Sequence, residues 1–292
     1  RETIRFDASN LYSGGSKIVY KRDHYGLRGK YRTPSSIDIL TIGGSTTDQR
    51  SLTEGETWQD HLAALFHADG KNISVVNAGI DGQSTFGHLF NFKRWFPLIP
   101  RLRPKTVIVY VGINDVYVRM KDTADLLRAH SKLLRIHHSV KNNSAIYRLY
   151  RVIKGVFLAR TARLTSLDVR PEFAAWTDIP NFPKKARLTE EVRAYKVRLR
   201  NLVGEIQRLD AMPLLVTQRR GDYKIAPNGK ILGIEAPENQ PNGIDEYLML
   251  SQMNRATIDI CIELGITCFD LASEIKLLPS DFYDRVHTKP SG

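Results

Sequence analysis

The chain has 292 residues, 42% of them hydrophobic and 25% charged, which is ordinary for a globular protein and enough for one sizeable core. Two cysteines, Cys261 and Cys268, are too few for a disulfide scaffold or a self-contained zinc site, and no apolar run reaches the roughly 18 residues of a membrane span. The net charge is +12 and uneven: between Arg119 and Arg170, twelve Lys and Arg stand against Asp122, Asp125 and Asp168.

The first residue is Arg1, and no signal-peptide pattern follows it, so the sequence reads as cut from a longer precursor. Residues 1–35 read as a packing arm on a single domain spanning 1–292. Ile37 to Ile42 is a short apolar run ending in Gly43-Gly44, a buried strand. Thr57 to His67 spaces Trp58, Leu62, Leu65 and Phe66 as a helix does. Ser74 to Val76 is a second strand and Ser84 to Phe96 a second helix, stopped near Pro97. Thr106 to Val111 is the clearest strand and ends at Gly112. Residues 117–187 read as a helical, basic insertion, with helical patterning from Ala145 to Leu164. Thr189 to Leu209 is a long amphipathic helix. Pro213 to Thr217 is a fourth strand, Gly221 to Ile234 a loop or short hairpin, Asp245 to Leu264 a helix ended by Gly265, and Ile266 to Leu271 a fifth strand. Cys261 and Cys268 read as two buried thiols around this last joint; a disulfide is allowed but not required.

Strand and helix alternate about five times, which favours an α/β fold: a parallel sheet with helices on both faces. In such sheets function gathers at the C-terminal strand ends. Four ends carry suggestive residues: Gly43-Gly44-Ser45, Asn77-Ala78-Gly79-Ile80-Asp81-Gly82, Gly112-Ile113-Asn114-Asp115, and Asp284-x-x-His287 after the fifth strand. Each motif alone is weak, since such short runs occur in ordinary turns. Together, in this order, they supply what ester hydrolysis needs. Ser45 offers the hydroxyl, on a turn that two glycines keep tight. His287 is the base, and Asp284, three residues earlier, orients it. The Ser45 and Gly82 N–H groups and the Asn114 amide are oxyanion donors. Asp281 is a weaker alternative to Asp284, and Asp115 reads as holding its own turn. Thr46, Gln83 and Arg219 are candidates for substrate contact; Arg220 shares the reach of Arg219.

At these residues the chain resembles the SGNH hydrolases, the GDSL esterase/lipase family, whose four blocks fall in order from Gly43 to His287. Ser45 matches the nucleophile, Gly82 the glycine of the second block, Asn114 the asparagine of the third, and Asp284 and His287 the last. The resemblance implies a three-layer α/β/α fold of flavodoxin-like kind with a five-stranded parallel sheet. It implies no metal, no organic cofactor, and acyl transfer through an acyl-serine. The sequence departs from the pattern in GGST for GDSL, so that Gly44 replaces the usual Asp, and in the enlarged basic region after the third strand. It also stops at Gly292, where the family usually continues into a closing helix.

The leading expectation is an esterase acting on an acyl ester of a small molecule or glycan, such as an O-acetyl or other short acyl group on a carbohydrate. Transfer of an acyl group to a cell-envelope glycan, and lipase or thioesterase activity, use the same triad. The complete site argues against a carbohydrate-binding domain that has lost activity. The basic segment has three readings: a helix packed on the domain, a rim that attracts an anionic polymer or substrate, or a helix on an anionic membrane surface. No motif accompanies the charge to indicate nucleic acid. His137-His138 lack further ligands at metal spacing. The apparently trimmed start and family habit lean toward a bacterial envelope or periplasmic setting.

Overall fold

The computed structural model describes residues 2–118, 170–182 and 188–292. An antiparallel hairpin opens it, with β1 (Glu2–Phe6) paired to β2 (Ile18–Arg22). β3 (Ile39–Gly43) runs into the short helix α1 (Ser45–Asp48). Then come α2 (Trp58–Ala68), β4 (Val75–Asn77), α3 (Thr85–Arg94) and β5 (Thr106–Tyr110). β6 (Trp176–Thr177), α4 (Thr189–Gln207) and β7 (Met212–Val216) follow, then β8 (Tyr223–Ile225) and β9 (Ile231–Ile234). α5 (Gly243–Leu264), β10 (Thr267–Phe269) and α6 (Leu271–Glu274) complete the order. Of the basic insertion, 117–118 and 170–182 are described; its helical stretch and His137-His138 lie outside the described residues.

Five strands form one sheet in the order β10-β7-β5-β3-β4, and every neighbouring pair is parallel. Strands covered on both faces read as continuous apolar runs, as the central β3 and β5 do. Leu40, Ile42, Val76, Val107, Val109 and Leu215 belong to the main core, with Leu199, Leu202 and Ile206 of α4 and Met253 and Ile260 of α5. α2 lies on the other face, where Gln59 Nε2 donates to Thr41 Oγ1 at 3.1 Å. Beside α2 a groove of about 610 Å³ opens along that face, lined by Ile108, Leu214, Val216 and Phe269. The layers are therefore helix, sheet, helix. Asn242 caps α5 by accepting from the Ile244 and Asp245 N–H groups, and Gly265 ends it in the left-handed conformation.

After β3 the chain steps to β4 at one edge, then returns past β3 to build β5, β7 and β10 outward. The direction reverses between β3 and β5, and a crevice forms beyond the strand ends at such a point.

Three features add to the expectation or correct it. The first residues of the arm form the β1–β2 hairpin, and Arg28 then makes a two-bond bridge to Asn77 of the edge strand β4. Residues 221–234 do form a hairpin, and β6 joins it as a third antiparallel strand. Cys261 and Cys268 are not free thiols: α5 and β10 bring their Cα atoms to 6.0 Å, and they form a disulfide.

Candidate active site

Ser45 is the first residue of α1, directly after the Gly43-Gly44 end of β3. Gly44 has φ −81° and ψ −148°. A Cβ there would lie 2.4 Å from Asn114 Nδ2. The turn thus lets the Asn114 amide press against the residue that precedes Ser45.

His287 reaches Ser45 from the other end of the chain. Its Nε2 is 2.8 Å from Ser45 Oγ, and its Nδ1 is 2.7 Å from Asp284 Oδ2. The other Asp284 oxygen accepts the Val286 and His287 backbone N–H groups at 2.7 Å each. Burial pushes the Asp284 carboxyl up, but the His287 ring and these two donors outweigh it and hold it below the usual carboxylate value. The loop is closed by an antiparallel bridge between Phe282 and Thr288. The Tyr283 ring lies flat against the imidazole, 5.6 Å between centroids.

The three expected oxyanion donors are placed as follows. Asn114 opens the turn after β5, and its Nδ2 donates to Gln83 O at 2.8 Å, which fixes the amide and leaves its second N–H. The Ser45 and Gly82 N–H groups have no acceptor among the described residues. Ser45 and Asn114 line one recess with Gly44, Thr46, Gln83 and Gln218.

The remaining candidates separate. Thr46 and Gln83 line the recess, but both side chains are already bonded, Thr46 Oγ1 to Gln218 Nε2 at 3.0 Å and Gln83 to Asn91 at 2.8 Å. Arg219 lines the large groove instead. It is buried, donates to the Ala272 and Leu277 carbonyls, and stacks over Tyr223. Arg220 does not reach the edge: it is buried between Asp222, at 2.6 Å, and Glu246, at 3.1 Å. Asp281 accepts the Leu278 N–H and caps its own 3-10 turn. Asp115 does more than hold its turn. It accepts the Thr85 N–H and hydroxyl and pairs with Arg198 at 3.0 Å. Burial raises its pKa against the pull of that arginine.

Sequence reasoning missed the groups that hold these parts together. Gln218 accepts the Ile113 N–H through Oε1 and donates to Thr46 Oγ1 and the Tyr110 carbonyl through Nε2. It thereby ties the nucleophile turn to the Asn114 turn. Arg28, from the arm, donates to the Asp48, Gln49 and Leu52 carbonyls at the end of α1. Arg22 pairs with Asp48 at 2.7 Å. No local pattern marks such residues; a fully buried arginine is readable only once its acceptors are placed. Among the described residues, no three His, Cys, Asp or Glu side chains gather as metal ligands.

An α/β/α sandwich of this strand order, with serine, histidine and aspartate joined on its C-terminal edge, defines an ester hydrolase of the SGNH class. The pattern of the GDSL-like Lipase/Acylhydrolase family matches residues 41–292, and the chain belongs to that family. Among solved structures it is similar to a variant of Axe2, an acetyl-xylooligosaccharide esterase from Geobacillus stearothermophilus. The two are 19% identical over 88% of this chain and 89% of that one, with a TM-score of 0.47. It is also similar to AlinE4, an SGNH-hydrolase family esterase, at 18% identity, 81% and 77% coverage and a TM-score of 0.41. No curated protein sequence matches it.

Proposed function

We propose that the chain hydrolyses short acyl esters, such as O-acetyl groups on a carbohydrate, through an acyl-serine intermediate. The observation that carries this reading is the continuous Ser45–His287–Asp284 hydrogen-bonded chain, at 2.8 and 2.7 Å, between residues 242 apart in sequence. His287 Nε2 takes the Ser45 proton as Oγ attacks the ester carbonyl carbon. Asp284 accepts the Nδ1–H and stabilises the imidazolium. The carbonyl oxygen becomes an oxyanion and takes hydrogen bonds from the Ser45 N–H, the Gly82 N–H and the free Asn114 N–H. Collapse breaks the C–O bond, and His287 returns its proton to the leaving alcohol. Water, deprotonated by the same histidine, then releases the acid and restores Ser45.

The size of the recess supports a short acyl group. Its volume is about 10 Å³, space for a water or a methyl. Its lining is largely polar, with Thr46, Gln83, Asn114 and Gln218, which suits a hydroxyl-rich alcohol half.

The test is a series of p-nitrophenyl esters of increasing acyl length, with acetylated sugars, on the native protein and Ser45→Ala. Turnover that is greatest for acetyl, vanishes in Ser45→Ala, and goes with fluorophosphonate labelling of Ser45 is expected. Preference for long acyl chains would shift the acyl site to the groove that Thr46 and Tyr110 also line. Neither turnover nor labelling would sink the hydrolytic reading.

A further inference from the structure

The family match begins at residue 41, yet the chain before it touches the site. Tyr12 is 4% exposed and Tyr283 7%, and both belong to a small cluster with Ala8, Ile18 and Leu52. The Tyr12 ring stacks on Tyr283 at 5.7 Å, and the Tyr283 ring stacks on His287 at 5.6 Å. We propose that the N-terminal arm orients the catalytic base: Tyr12, acting through Tyr283, is a positioning residue for the His287 imidazole. The inference rests on the triad reading given above.

The physical need is specific. The two ring nitrogens of His287 are held by Asp284 and Ser45, at 2.7 and 2.8 Å. Those bonds act at the ring edge and leave its faces unpacked, and proton transfer from Ser45 needs the ring held in one place. An offset parallel neighbour limits how far the imidazole can tilt, and the Tyr283 ring is 11° from parallel to it at 5.6 Å between centroids. Tyr283 is tied to the same loop, its N–H donating to the His287 carbonyl at 3.0 Å. Its side chain is bonded to Ser51, and its outer face is backed by the Tyr12 ring. Tyr12 is itself anchored, its hydroxyl donating to the Ser51 carbonyl at 2.9 Å, just past α1. The arm also grips α1 through Arg28 and Arg22. One segment therefore touches the serine-bearing helix and the histidine-bearing loop.

The test compares Tyr12→Leu with Tyr12→Phe in the whole chain, using the best ester of the acyl series. Tyr12→Leu keeps apolar bulk and loses the ring; Tyr12→Phe keeps the ring and loses the Ser51 bond. Tyr12→Leu is expected to lower kcat about tenfold with KM changed less than about twofold, and Tyr12→Phe to recover most of that loss. The His287 imidazole proton resonances are expected to move in Tyr12→Leu and to return in Tyr12→Phe. If Tyr12→Leu does not fold, Tyr12→Met makes the same comparison. Native kcat with unmoved resonances in Tyr12→Leu would overturn the proposal, whatever its thermal stability. Equal losses in the Leu and Phe variants would also overturn it, by placing the effect in the hydroxyl. Native turnover in His287→Ala would instead remove the triad on which it rests.

Discussion

The two halves of the site are built differently. Ser45 and Asn114 leave the ends of β3 and β5, strands flanked on both sides within the sheet. Behind them lies a buried polar network: Gln218, Asp115, Thr85 and Arg198, each 8% exposed or less. His287 and Asp284 sit instead on a short loop closed by one bridge, and the Asp284 carboxylate is satisfied by that same loop. The position of the serine is a property of the sheet. The position of the histidine is a property of a few residues and of what packs on them. Changes to the loop are thus expected to damage chemistry and spare the fold, whereas changes behind the serine reach both.

The largest effect tests the loop. His287→Ala is expected to cost about 10⁶-fold in kcat, matching Ser45→Ala, because triad members act as a unit. Asp284→Asn is expected to cost about 10⁴-fold, since it accepts the two backbone N–H groups but offers the wrong partner to Nδ1. Thermal unfolding of His287→Ala is expected to stay close to native, since the ring is only part-buried. A mild kinetic loss would mean that another base serves Ser45. A large loss of stability would mean that the loop is not independent of the rest of the fold.

The contrast also explains what the sequence reveals. Ser45 and Asn114 fall within a few residues of apolar strands, and Asp284 and His287 are one turn apart, so a local pattern finds them. Gln218 bonds Thr46 across 172 positions, and Arg198 meets Asp115 across 83. Those pairs depend on strand order and helix placement, which no periodicity encodes. The β1–β2 hairpin was missed because eleven residues separate its strands, although Ile18 and Tyr20 alternate with more exposed neighbours. Cys261 and Cys268 were left open because bonding depends on a Cα separation that spacing alone does not set.

The next effect tests the network. Arg198 donates to Thr85 Oγ1 at 2.6 Å and pairs with Asp115, both partners being buried. Arg198→Met leaves a buried carboxylate without its charge partner, and a loss of about 3–5 kcal/mol in denaturant unfolding is expected. Adding Asp115→Leu is expected to restore much of it, since an apolar pair of similar bulk carries no unpaired charge. A single-variant loss below about 1 kcal/mol, the level of an exposed pair, would show that the serine half does not depend on this network.

The smallest effect separates folding from chemistry at adjacent glycines. A Cβ on Gly43 would lie 2.4 Å from the Tyr110 carbonyl, which belongs to β5 and cannot retreat without breaking the ladder. A Cβ on Gly44 would meet chiefly Asn114 Nδ2, the tip of a side chain that can swing aside, with the Gln83 carbonyl oxygen further off at 3.2 Å. Gly43→Ala is therefore expected to lower stability. Gly44→Ala is expected to change stability by less than about 1 kcal/mol. Its cost appears in kcat, down about 10²-fold, because the displaced amide is one oxyanion donor. KM is expected to hold, since that donor acts mainly on charge that develops in the transition state. A Gly44→Ala protein with native kcat would place the Asn114 amide outside the oxyanion site. One as unstable as Gly43→Ala would show that Asn114 is held too firmly by Gln83 to yield, and the serine half would then be rigid down to its side-chain tips.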